Sequence, residues 1–251
     1  MDIRRKLEHK FSEQTDPHGR DDDTLLHKYL TVAEGYADIE GVLAVLSDLR
    51  HRASYVFCGR FADAIMLDKN KCHGKIPSIW EQEIFDTLIQ QDLENKLLSE
   101  FLFYNYIRNK PKALKFTLCL HQKLRMRGRA GGFVDTLHRV YYIPSANGNS
   151  IRFALCLYGP MTAPFQGNAT IVNKSDGTAH KLEEASGEKI LTKQETTVLR
   201  LIAQGKSSKE AAEILNVSVH TISRHRQNIN TRLQVHNSIE ACRIAQSLSI
   251  L

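Results

Sequence analysis

The 251-residue sequence has no run approaching the ~18 consecutive apolar residues that a membrane-spanning helix needs. Its start, Met1-Asp2-Ile3-Arg4-Arg5-Lys6, is charged and leads into no apolar stretch, so no secretory signal is expected. Cysteine is scarce and scattered. Cys58, Cys72, Cys119, Cys156 and Cys242 are odd in number and contain no C-x-x-C pair, which favours reduced thiols over a disulfide framework. The adjacent Cys72-His73 has no spaced partner that would make a metal site, so no metal is expected. There is no G-x-S-x-G, P-loop or H-E-x-x-H motif, and no catalytic residue is assigned; the chain reads as a non-enzyme. Tryptophan occurs once, at Trp80. Internal repeats and low-complexity tracts are lacking as well.

What is present is a globular composition, with 42% apolar and 25% charged residues, and a net charge of +6. The excess is concentrated at the end. Residues 187–251 hold nine Lys/Arg against five Asp/Glu, which is +4 of the total. Such asymmetry fits a polyanionic partner.

The predicted fold class is α+β, with helices first and an antiparallel sheet afterwards. A polar segment covers residues 1–23. Asp23-Thr24 starts a helix through Leu25, Leu26, Tyr29 and Leu30, and a second helix is expected over Ile39 to Leu49. Ser54 to Cys58 reads as a strand and Phe61 to Leu67 as a helical turn or two. Helix continues from Pro77-Ser78 through Trp80, Leu88 and Phe101 and ends before Pro111. Strands are expected at Phe116 to Leu120, Thr136 to Ile143 and Ile151 to Tyr158, the last two joined by a turn around Asn147-Gly148. The basic run His121 to Arg129 reads as the exposed edge or turn of a strand pair. One domain is placed at 24–182, a linker at 183–189 and a second domain at 190–251.

Four short helices are expected in that second domain. Thr192 with Glu195 forms a capping box, Gly205 stops the first helix, and Ser207 or Ser208 caps the second. Ala211, Ala212, Ile214 and Leu215 face inward there. In the third helix Val219, Ile222, Ile229 and Leu233 share one side, which leaves His220, Ser223, Arg224, Gln227 and Thr231 on the other. No carboxylate occurs from Val217 to Val235, as an approach to phosphates demands. Arg pairs bidentately with guanine and Gln with adenine in a major groove.

The residues Leu191-Thr192-Lys193-Gln194-Glu195, Val198-Leu199, Ile202 to Ala212, Leu215 to Ile222, His225 to Ile229 and Arg232-Leu233 resemble the LuxR/NarL family of helix-turn-helix domains in order and spacing. The resemblance covers about a quarter of the chain. It implies an all-α four-helix module whose third helix enters the major groove of double-stranded DNA and whose fourth commonly pairs two subunits. On that basis Ser223, Arg224 and Gln227 would contact bases, and Lys209, Thr221, His225 and Arg232 phosphates. Ala241, Cys242, Ala245 and Leu248 would form a dimer surface. The family often has Lys or Val near Ser223 and Arg224, so the DNA sequence read here is not copied from a relative. Plainer readings stay open: Arg224 and Gln227 solvating a surface helix, His225 and Cys242 packing.

The first domain lacks the alternating strands and acidic cluster of a receiver domain, and with one tryptophan it fits autoinducer-binding domains poorly. It resembles a PAS-type sensor. Ser54 to Phe57 with Phe61 to Leu67 resembles the opening of that domain, and His138 to Tyr142 with Phe153 to Tyr158 its closing sheet. A long helical insert from Trp80 to Tyr106 departs from the pattern. This resemblance implies an unidentified small-molecule ligand or a protein contact, with no definite cofactor. The whole is then a signal-modulated transcription regulator of the bacterial cytoplasm, a homodimer on DNA, with RNA polymerase left open as a partner. The alternative is an interaction module that uses the C-terminal helices for assembly.

Overall fold

The computed structural model describes residues 3–13, 23–68, 70, 72–108, 110–148, 150–165, 169–182, 191–233, 235, 237–247 and 251. The chain forms two compact units, 2–182 and 183–251. The expected linker, 183–189, lies outside the described residues. Among the described residues no helix is long and apolar enough to cross a membrane.

The first unit opens with α1 (Ile3–Ser12) and α2 (Asp23–Glu40). The first of these falls where only a polar segment was expected. Its two apolar anchors, Leu7 and Phe11, are four residues apart and both buried, so one helical stripe suffices to dock an otherwise charged segment. Next come β1 (Leu43–Asp48), β2 (Ala53–Cys58), a 3₁₀ turn (Arg60–Asp63) and β3 (Gly74–Ile76). After α3 (Gln82–Phe85), α4 (Gln90–Arg108) and α5 (Lys112–Lys115), the chain runs through β4 (Leu118–Arg127), β5 (Phe133–Pro144), β6 (Ile151–Pro160), β7 (Ala169–Asn173) and β8 (Ala179–Lys181).

All eight strands form one antiparallel sheet in the order β3-β2-β1-β6-β5-β4-β7-β8. The expected helix over Ile39 to Leu49 is replaced by the end of α2 and by β1. Every residue of β1 is buried, and a strand covered on both faces loses the alternation that distinguishes it from a helix. Gly41, at φ 69°, makes the break. The basic run lies mostly in a strand, at the expected edge and not at a turn, since β7 pairs with β4 only as far as Gln122. Residues 121–127 lie within β4, with Lys123, Arg125 and Arg127 exposed and Leu124 and Met126 buried between them.

The sheet carries helices on both faces. Ala33 and Ala37 of α2 pack on Ala44, Leu46, Phe153, Leu155 and Leu157. Alternation sends Val45, Ser47, Ala154, Cys156 and Tyr158 to the other face, beneath α4 and α1. At the end of β1 the buried Asp48 receives a bidentate ion pair from Arg152 on β6. The backbone N–H groups of Arg50 and His51 also donate to it, at 3.0 and 2.9 Å.

One expectation about cysteine is corrected. Cys58 and Cys72 form a disulfide with Cα atoms 5.4 Å apart, so not all thiols are reduced and Cys72 is no metal ligand beside His73. Folding β3 back along β2 creates that proximity, which a separation of 14 residues does not reveal. Cys119, Cys156 and Cys242 are free thiols.

Gly59 illustrates how tightly the first crossing is packed. A Cβ there would lie 2.2 Å from the Ala37 carbonyl oxygen, 2.4 Å from the Gly41 carbonyl carbon and 2.6 Å from the Val42 oxygen. These obstacles are backbone and cannot rotate aside. Gly59→Ala is therefore expected to destabilise the first unit by about 3 kcal/mol, the upper part of the overpacking range. A urea titration followed by Trp80 fluorescence measures this; a midpoint equal to wild type would contradict it.

Candidate nucleic-acid interface

The second unit contains α6 (Lys193–Ala203), α7 (Ser208–Leu215), α8 (Val219–Leu233) and α9 (Ser238–Ser247). Local chemistry sets each start. The Thr192 hydroxyl accepts from the Glu195 N–H while the Glu195 carboxylate accepts from the Thr192 N–H, a reciprocal cap. Ser207 and Glu210 repeat it at α7, so Ser207 is the cap of the two serines considered. Asn216 ends α7 in the left-handed conformation, φ 51° and ψ 47°. The Ser218 hydroxyl then accepts from the Thr221 N–H at 3.0 Å, opening α8.

Helix α8 is held from one side. Ile222, Ile229 and Leu233 are buried, and they meet a core built from Val198 and Leu199 of α6 and Ala211 and Ala212 of α7. Val219 departs from the expected inner set at 47% exposure, and so does Ile214 of α7 at 55%. Each lies beside the turn between α7 and α8, where an apolar periodicity runs past the edge of the core. Leu215 is half-buried.

Ser223, Arg224 and Gln227 are exposed together on the outer face of α8, as are His220 and Thr231. Lys209, near the start of α7, is exposed, and Thr221 and His225 are half-buried. The buried Nδ1 of His225 has no hydrogen-bond partner among the described residues. Arg232 is exposed, yet its guanidinium lies 3.3 Å from the buried Glu195 carboxylate that caps α6. It thus ties the end of α8 to the start of α6.

One residue with a clear structural task was missed. The half-buried Arg226 donates to the Ser208 hydroxyl at 2.7 Å and to the Ser238 hydroxyl at 3.1 Å, joining α8 to the starts of α7 and α9. Its four-residue offset from Ile222 puts it on the flank of the buried stripe, the one available signal for a bracing role.

The residues expected to pair two subunits fare differently. Ala241 and Ala245 are wholly buried, where α9 packs on α6 and α8. They are spent in the core of a single copy and offer no surface to a second. Cys242 is half-buried with its sulfur 4.0 Å from the Leu199 carbonyl oxygen, and Leu248 lies outside the described residues. The apolar side chain that α9 presents outward is Ile239, 85% exposed.

A short capped helix leading through a left-handed asparagine into a longer one, both braced by flanking helices, defines a helix-turn-helix domain. Residues 189–245 match the family of bacterial regulatory proteins of the luxR type, so this C-terminal domain is a LuxR-type helix-turn-helix. Over 65 residues, 26% of this chain and 44% of the relative, it is 40% identical to the uncharacterized response regulatory protein YgeK of Escherichia coli K12. It is 44% identical over 61 residues to the Fimbriae Z protein of Salmonella typhimurium, covering 24% and 29% of the two chains. With the oxygen regulatory protein NreC of Staphylococcus aureus the identity is 36% over 84 residues, covering 34% and 37%. The chain thus spans less than half the length of these curated relatives. Among solved structures, that of the phage VqmA-DPO complex aligns with 91% of this chain and 89% of its own, at 13% identity and a TM-score of 0.34.

Proposed function

We propose that the protein is a sequence-specific, double-stranded DNA-binding transcription regulator that places α8 in the major groove. The observation that carries this reading is the outer face of α8, exposed, free of carboxylates from Val217 to Val235, and fixed from beneath by Ile222, Ile229 and Leu233. In it Ser223, Arg224 and Gln227 read base edges while Lys209, Thr221, His225 and Arg232 fix register on the phosphates. Arg232 performs that task while shared with Glu195.

The regulator acts as a homodimer on half-sites about one helical turn, ~10 base pairs, apart. The outer side of α9, including Ile239, supplies the pairing surface in place of Ala241 and Ala245. The first unit is a PAS-like sensor that biases occupancy through a small ligand or a protein contact. Its strand order supports this, since the two opening strands β1 and β2 lie beside the three long late strands β6, β5 and β4. The compartment is the bacterial cytoplasm, with RNA polymerase as a further partner; the reading contains no catalytic step.

Genome-wide mapping of bound DNA, followed by gel retardation on the recovered fragments, tests the proposal. Arg224→Ala is expected to cost ~1–3 kcal/mol on the recovered site and to relax preference at one position. Equal losses on that site and on a random duplex would reduce Arg224 to a phosphate contact. No retardation at low salt would favour an assembly role for the C-terminal helices.

A further inference from the structure

Beneath α4 the first unit buries a group of side chains that DNA binding does not use. His138 of β5, Cys156 of β6 and Glu100 of α4 are all buried, and their donor atoms lie within 4.8 Å of one another. The His138 Nε2 is 3.9 Å from the Glu100 Oε1.

His138 is the informative member. Its Nδ1 lies 3.3 Å from the Gln122 Oε1, and an amide oxygen only accepts, so Nδ1 carries the hydrogen. The lone pair is thereby left on Nε2, which is buried and has no hydrogen-bond partner among the described residues. Burial, followed by the nearby Lys96 charge, holds the imidazole far below its ordinary pKa and keeps it neutral. A buried acceptor without a partner is destabilising. An imidazole with one nitrogen oriented by an amide oxygen and the other bare is arranged as metal-bound histidines are.

We propose that Cys156, His138 and Glu100 form a binding site for a divalent transition metal of the zinc type. Thiolate, imidazole and carboxylate are the donors such ions take, at about 2.0–2.3 Å, which places the donor atoms of a tetrahedral site about 3.4–3.8 Å apart. From separations of up to 4.8 Å the three donors need to close by at most about 1.4 Å. Three protein ligands leave a fourth position open. Glu100 and Cys156 also line a cavity of about 30 Å³, bounded by Phe11, Trp80 and Tyr142 and large enough for a water.

The chemistry balances without electron transfer. The Cys156 thiol loses its proton to solvent as sulfur bonds the ion, so each metal bound releases one proton. Lys96 is the competing cation. It is buried and donates to the Glu100 Oε1 at 2.6 Å. The buried Glu81, on the same cavity, also attracts it and retains it when the ion takes Glu100.

Titration of the metal-free full-length protein with Co²⁺ tests the site. One cobalt per chain is expected, with a thiolate-to-cobalt charge-transfer band, the intense visible bands of a four-coordinate ion, and displacement by Zn²⁺. Cys156→Ser removes the charge-transfer band, while Cys119→Ser and Cys242→Ser keep it. Gln122→Ala, which leaves all three donors in place, weakens binding about 10–100-fold. Far-ultraviolet circular dichroism verifies that each variant is folded. Absence of the band in the wild-type protein, or its persistence in folded Cys156→Ser, would overturn the proposal.

Discussion

Raising salt from 50 to 200 mM is expected to weaken binding to a target duplex by roughly 10²-fold. Each copy presents Lys209 and Arg232 as exposed cations at the proposed phosphate contacts. A dimer therefore brings about four, and each neutralised phosphate releases close to one condensed counterion. Thr221 adds hydrogen bonds without adding to the slope. The logarithm of the binding constant should fall against the logarithm of salt with a slope of about −3.5. Because Arg232 also serves Glu195, the slope should lie at or slightly below the value for four free charges. Fluorescence anisotropy over a potassium chloride series measures it, and a slope near zero would exclude a phosphate-tracking interface.

The second large effect concerns the first unit. Asp48→Ala and Arg152→Ala are each expected to destabilise it by ~3–5 kcal/mol, the usual consequence of leaving one member of a buried ion pair alone. Asp48→Ala is the more damaging, because the Arg50 and His51 N–H groups lose their acceptor along with Arg152. Burial pulls the Asp48 carboxyl upward in pKa, but the Arg152 guanidinium and the His51 bonds outweigh it and hold the group below its ordinary value of 3.8. The sign follows: this stabilisation is complete above pH ~3.8 and disappears as pH falls through the lower folded value. Acid titration of Arg152→Ala should thus lose the wild-type transition in that window. Since Trp80 is the single tryptophan, urea unfolding followed by its fluorescence reports on the first unit alone. A change within 0.5 kcal/mol for Arg152→Ala, the scale of a neutral surface substitution, would show that the pair is dispensable.

The C-terminal domain was legible because its punctuation is local. Thr192 with Glu195, Ser207 with Glu210, and Asn216 each act within one helical turn, and the structure uses all of them. Its errors arose where periodicity meets the limits of a small core, at Ile214 and Val219. The face Ala241-Ala245 was read as a dimer surface because small apolar residues serve internal packing and association equally well. In the first unit, the start of α2 at Asp23 and the hairpin at Gly148 follow from helix-start and turn residues. The strand β1 did not, since burial on both faces erases its alternation, and α1 carries only two apolar anchors among charges. Neither the Cys58–Cys72 bond nor the meeting of Glu100, His138 and Cys156 is written in spacing. Both come from strand order and from α4 crossing the sheet.

The most direct measurement compares wild-type protein with a Ser223→Ala/Arg224→Ala/Gln227→Ala variant on a genome-derived site and on a random duplex of equal length. The expected result is a fall in the ratio of the two affinities toward one, with random-duplex binding reduced only by the missing Arg224 charge. Full retention of the wild-type ratio would mean that another surface reads the DNA.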